Sequence, residues 1–149
     1  MDILKDKKIV IFGGTGELMG SIAVGLSKQG AQIIIIGRDF KKAQKIQELD
    51  SHKSIHFINF DILNDNISTL FEIIYQQYNY IDALINGAGV NSDTPFLDIK
   101  KSEMGNIFEI NFNFVCSCCQ HYIQRTLQLE KPGRIINIGS VSGLNPLSK

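Results

Sequence analysis

The sequence has no net charge, few prolines and no long hydrophobic run. Fifteen lysines and arginines are balanced by fifteen aspartates and glutamates. That balance offers no overall field to draw in nucleic acid or an anionic membrane surface, so neither partner is expected. No segment approaches the ~20 uninterrupted apolar residues of a spanning helix. The opening residues, among them Met1, Asp2, Lys5 and Asp6, carry no secretory pattern. Cysteine is confined to Cys116, Cys118 and Cys119. An odd, clustered set makes no disulfide framework, and a reducing cytoplasm is the expected location. These three do not converge like tetrahedral ligands and His121 does not complete them, so no metal site is expected and packing explains them better. Only Pro95, Pro132 and Pro146 interrupt the chain, with no repeat, low-complexity tract or linker. One domain over residues 1–149 follows.

What is present alternates regularly. Ile9 to Phe12, Ile33 to Ile36, Ile55 to Phe60, Ala83 to Asn86 and Arg134 to Ile138 are short, β-branched and mostly unalternating runs. Strands covered on both faces read this way, which predicts a parallel sheet. Between them lie helical stripes. Met19, Ile22, Ala23 and Leu26 form one, closed by Gly30 as a C-terminal cap, and Lys41 to Leu49 form a weaker one. Ile67, Leu70, Phe71, Ile74 and Tyr78 form another; Phe108, Phe112, Val115, Cys119, Tyr122 and Ile123 form the last, ending before Pro132-Gly133. The expected fold is α/β, a doubly wound parallel sheet of the Rossmann type with five strands, its ligand at the strand carboxyl ends.

The first strand runs into Gly13-Gly14-Thr15-Gly16-Glu17-Leu18-Met19-Gly20 and then a helix. Glycines there let the backbone turn sharply and approach a pyrophosphate, whose charge a helix N-terminus favours. A bland tight turn is the alternative, but the position after the first strand and before the first helix favours nucleotide binding. The second strand ends Gly37-Arg38-Asp39. An acid at its end would accept a ribose diol and mark NAD. Here glycine stands instead, followed by an arginine able to clamp a 2′-phosphate, so NADP(H) is favoured over NAD(H). Asp39 could compete for Arg38.

With these strings the chain resembles the short-chain dehydrogenases/reductases over its whole length. The family's turn, Thr-Gly-x-x-x-Gly-x-Gly, aligns with Phe12 at the threonine and Gly13 at the first glycine, while Glu17 and Met19 fall at the second and third. Either Glu17 points outward or the loop takes a shifted register. The resemblance implies phosphate contacts at Gly13, Thr15, Gly16 and Leu18, and adenine contacts at Asp61 and Ile62. On its own, Asp61 would equally serve as the cap of the following turn. Asn86-Gly87-Ala88-Gly89 resembles the family's Asn-Asn-Ala-Gly signature. It implies that Asn86 braces the sheet while Gly87, Ala88 and Gly89 leave room for the cofactor. Asn111 matches the asparagine that kinks the long helix and organises the proton path, and Ser140 matches the catalytic serine that polarises the substrate carbonyl. Ser142 is the second candidate for that role.

The family's Tyr-x-x-x-Lys pair, which donates the proton and binds the nicotinamide ribose, does not occur. Tyr75, Tyr78, Tyr80 and Tyr122 are followed four positions on by Asn79, Asp82, Leu84 and Thr126, and the sequence ends nine residues past Ser140. The expectation is the N-terminal portion of an oxidoreductase that passes a hydride between NADP(H) and a small carbonyl or secondary alcohol, homo-oligomeric when full length. A dinucleotide-binding module without chemistry is the second expectation, and a nucleotide-sugar epimerase the third. A methyltransferase ranks last, because the second strand ends without an acid.

Overall fold

A computed structural model describes residues 3–143 of the chain. Strands β1 (Lys8–Phe12), β2 (Gln32–Gly37), β3 (Ile55–Asn59), β4 (Ala83–Asn86) and β5 (Arg134–Asn137) form one sheet in the order β3-β2-β1-β4-β5. Every pairing is parallel. The order reverses at β1, which lies between β2 and β4, so a crevice opens at the carboxyl ends of β1 and β4.

The unalternating strands have a direct cause: both faces of the sheet are covered. Val10, Phe12, Ile34, Ile36 and Leu84 pack under α3 (Ile67–Tyr78) and the long helix through Leu70, Ile74, Phe114, Cys118 and Tyr122. Ile9, Ile11, Ile33, Ile35 and Ile85 pack under α1 (Glu17–Ser27) and α2 (Phe40–Glu48) through Met19, Ala23, Ala43 and Ile46. Gly30 takes φ +90° and closes α1, with its own N–H on the Ser27 carbonyl and that of Ala31 on Leu26.

The long helix departs from its predicted face. Of Phe108, Phe112, Val115, Cys119, Tyr122 and Ile123, only Tyr122 is buried; Phe108, Phe112 and Ile123 are exposed. Ile110, Phe114, Cys118 and Tyr122 face inward instead. The helix also starts earlier, as α4 (Lys101–Phe108), and passes through a π turn at Glu109–Asn113 into α5 (Phe114–Gln128). A π turn holds one residue more than an α turn. It rotates the following face by roughly 100° relative to α4, although the predicted face misses on both sides of it: Phe108 before the turn and Ile123 after it are both exposed.

The turn between α2 and β3 is held by Asp50, a buried carboxylate. It accepts hydrogen bonds from the backbone N–H groups of Ser54 (2.6 Å), Ile55 (2.8 Å) and His52 (3.2 Å), and from the Ser27 hydroxyl. Burial pushes its pKa up, but the bonds from Ser27, Ile55, Ser54 and His52 together bring it below the ordinary carboxylate value. A folded value below the unfolded one contributes stability that is full above about pH 4 and is lost as pH falls through the folded value. Asp50→Asn should therefore cost about 2 kcal/mol near neutral pH. The gap to wild type should close in acid, which urea denaturation at pH 7 and pH 3 would measure.

Candidate functional site

The crevice at the switch point is a cleft of about 860 Å³. Its floor is built by the turn after β1. Gly13 takes φ +74°, and a Cβ there would stand 2.7 Å from the Ala88 nitrogen and 2.8 Å from the Gly87 carbonyl carbon. Glycine is required twice over, by the left-handed backbone and by the approach of β4. Gly14 N–H donates to the Ile36 carbonyl at 3.1 Å and Gly16 N–H to the Gly13 carbonyl at 2.9 Å. Gly16 is the N-cap of α1 and supplies no side-chain cap, which leaves the first helical N–H groups for an anion.

The two departures from the family's glycine pattern are accommodated in different ways. Glu17 is exposed and lines a separate groove between α1 and α2, not the cleft. Met19 is buried, and a Cβ on Gly87 would come within 2.1 Å of its Sδ. The glycine at 87 makes room for the methionine at 19. Leu18 is 63% exposed and does not line the cleft; its backbone N–H lies in the first turn of α1.

At the far rim stand Arg38 and Asp61, with Arg38 Nη1 3.9 Å from Asp61 Oδ2. Asp61 also accepts from Asn64 Nδ2 at 2.9 Å and from Leu63 N–H at 3.1 Å. Those bonds, the Asn64 amide foremost and Arg38 last, hold its carboxyl below the ordinary value. Asp61 is thus the turn cap that its residue type suggested, and it lines the cleft as well. Asp39 does not compete for Arg38: its carboxylate caps α2 by accepting the Lys42 N–H at 3.0 Å.

Past β4, Gly87, Ala88 and Gly89 line the cleft with Val90. Asn86 lies behind them, 4% exposed, and donates to Asn137 Oδ1 at 2.8 Å. It braces β4 against β5 and does not itself face the cleft. Asn111 sits in the π turn and clamps the loop with both ends of its amide: Nδ2 donates to the Val90 carbonyl at 2.8 Å, and Oδ1 accepts the Val90 N–H at 2.9 Å. Ser140 follows β5 on the same carboxyl edge, three residues beyond Asn137, which pairs with Asn86. It is exposed and does not line the cleft. The side chain of Ser142 lies outside the described residues.

Of the residues singled out from sequence, Gly13, Thr15, Gly16, Arg38, Asp61, Ile62, Gly87, Ala88 and Gly89 meet on this one cleft. Sequence reasoning missed Phe40, Lys41, Lys42, Val90 and Ile110, which also line it. Lys41 and Lys42 were findable, because they directly follow Arg38-Asp39-Phe40 in the first turn of α2. Ile110 was not, since its neighbours in the cleft come from segments far away in the chain. Among the described residues no cluster could hold a metal ion, and no helix is long and apolar enough to cross a membrane.

A parallel sheet wound on both faces, with a glycine-rich turn at its switch point, defines a Rossmann-like α/β protein. The sequence profile of the short chain dehydrogenases matches residues 7–149, and the chain belongs to that family. It is 27% identical over 144 residues to an uncharacterised oxidoreductase of Staphylococcus aureus strain USA300, covering 96% of this chain and 62% of that protein. It is 28% identical over 149 residues to the uncharacterised oxidoreductase YvrD of Bacillus subtilis strain 168, covering 99% and 56%. The chain thus spans about three fifths of the length of the curated relatives it matches. A short chain dehydrogenase crystal structure from Bacillus anthracis superposes with a TM-score of 0.88 at 26% identity, covering 97% of this chain and 61% of that one.

Proposed function

We propose that this protein is an NADP(H)-dependent oxidoreductase acting on a small carbonyl or secondary-alcohol substrate. One observation carries the reading: a glycine-walled cleft at the switch point, closed to side chains at Gly13, with Arg38, Lys41 and Lys42 on its far rim. These residues suit a dinucleotide. Gly13, Thr15, Gly16 and the backbone at Leu18 would hold the pyrophosphate against the α1 N-terminus. Asp61 and Ile62 would hold the adenine and Arg38 the 2′-phosphate. Gly87, Ala88 and Gly89 leave backbone, not side chains, along the path towards the nicotinamide. When bound, the cofactor supplies or accepts the hydride at its nicotinamide C4.

Ser140 donates a hydrogen bond to the substrate oxygen and stabilises the charge that develops on it. Asn111 is a positioning residue: it fixes the Val90 wall from the π turn and organises the proton path beside it. The free thiols suit a reducing cytoplasm, and the exposed Phe108, Phe112, Ile123 and Leu127 on the long helix support a homo-oligomer.

Because no Tyr-x-x-x-Lys pair occurs in these 149 residues, binding is the first readout. Titration should give saturable one-to-one quenching of NADPH fluorescence, and no binding up to about 1 mM, the upper end of ordinary affinities, would overturn the reading. Where carbonyl turnover is measurable, Ser140→Ala should lower kcat by about 10²–10³. The Kd for NADPH should stay the same, separating loss of charge stabilisation from loss of cofactor.

A further inference from the structure

We infer that Thr15 is a specificity-determining residue: its side chain occupies the space that an acidic residue at position 37 would need, and so keeps the cleft to a 2′-phosphorylated adenosine ribose. The inference rests on the dinucleotide reading and deepens it. A carboxylate at the end of the second strand is what receives an unmodified ribose diol, and Gly37 holds that place. Gly37 lies in β2, paired with Asn59, and its backbone is outside the left-handed region, so its own conformation does not demand glycine. Thr15 does. A Cβ on residue 37 would stand 2.5 Å from Thr15 Oγ1, 3.1 Å from Cγ2 and 3.3 Å from Cβ.

Rotation eases this contact but leaves it tight, with a heavy atom about 3.1 Å away and the Thr15 Cβ at 3.3 Å. Two of the three substituent positions on Thr15 Cβ face Gly37, and hydrogen can take only one of them. Retreat is blocked from both sides. The turn is tied to β2 by Gly14 N–H on the Ile36 carbonyl at 3.1 Å. Gly37 is held in turn by the Phe60 N–H on its carbonyl at 3.0 Å. With position 37 shut, ribose recognition passes to the rim, where Arg38, Lys41 and Lys42 are cationic and Asp39 is spent on its cap. A phosphate is matched there, whereas a bare diol meets no carboxylate at position 37.

The test is fluorescence titration of NADPH and NADH against wild type, Gly37→Asp and Thr15→Ala/Gly37→Asp, with melting temperatures of Gly37→Ala and Thr15→Ala/Gly37→Ala. Wild type should prefer NADPH at least tenfold. Gly37→Asp should lose NADPH at least tenfold and gain nothing for NADH. The double variant should bind NADH at least tenfold more tightly than Gly37→Asp. Gly37→Ala, which adds only the methyl group, should melt below wild type and regain most of the loss when Thr15 becomes alanine; this arm reads the contact even if the aspartate variant does not fold. If Gly37→Asp alone gains NADH as much as the double variant, or if Gly37→Ala melts like wild type, Thr15 is not the determinant. If wild type binds neither dinucleotide, the dinucleotide reading itself fails and takes the inference with it.

Discussion

Replacing Arg38 with alanine should weaken NADPH binding about 30- to 100-fold while leaving NADH within about twofold of wild type. The guanidinium can give a 2′-phosphate two parallel charge-assisted hydrogen bonds, together worth about 2–3 kcal/mol, and each 1.4 kcal/mol is a factor of ten. The bond it must leave is weak. Its partner Asp61 lies 3.9 Å away, and the arginine side chain is 65% exposed, so the pair contributes about 0–1 kcal/mol. Asp61 keeps its Asn64 and Leu63 partners when the arginine swings away. Calorimetric titration of both cofactors at low and high salt measures this. The NADPH advantage should shrink as salt rises, because the rim is exposed and screened. Equal losses for the two cofactors would mean that Arg38 does not meet the phosphate.

The second large effect is expected at Gly13. Alanine there must adopt φ +74°, which costs an L-residue about 1–2 kcal/mol. Its methyl group must also enter a space already filled by the Ala88 and Gly87 backbone at 2.7–2.8 Å. Backbone on both sides cannot yield as a side-chain tip would, so the total should exceed about 3 kcal/mol, within the range of overpacking and backbone strain combined. For a chain of this size that is a fall of roughly 6–12 °C in Tm, read by calorimetry. NADPH binding should be lost with it, since relief of the clash parts β1 from β4 where the cleft lies. Gly25, whose Cβ would meet nothing within 4 Å, is the control: Gly25→Ala should be neutral or stabilising, because glycine is a poor residue inside a helix.

These expectations draw unequally on sequence and on structure. The five strands were legible because burial on both faces leaves a run such as Ile33 to Ile36 with no polar alternation, and few other arrangements produce that pattern. Their order was legible as a class, since parallel strands joined by helices wind in few ways. The tight turn between β1 and α1 was legible from the spacing of Gly13, Gly14 and Gly16. Arg38 was legible as a cation at the end of β2, and its neighbour's role was not: whether Asp39 answers Arg38 or caps α2 depends on the path of the chain into that helix.

The rest needed three-dimensional contacts between residues far apart in the chain. Glu17 and Met19 looked like faults in the glycine pattern. One residue lines the α1–α2 groove, and the other fills the room left by Gly87, 68 positions further on. The inward face of the long helix was misread: Phe114, Cys118 and Tyr122 face the sheet, while Phe108 and Ile123 of the apolar stripe are exposed, because which apolar residues meet the sheet depends on how the helix docks on it. Asn111 was marked as important, yet its bond to Val90 depends on a loop and a helix meeting in space. Sequence by itself therefore determined the sheet, the helices that cover it, and the end of the sheet where the cleft opens, because these follow from local periodicity and from the few residues able to make a tight turn. Tertiary structure alone decided which glycines are required and by which neighbour, since close packing is a property of distances between segments that the linear order does not contain.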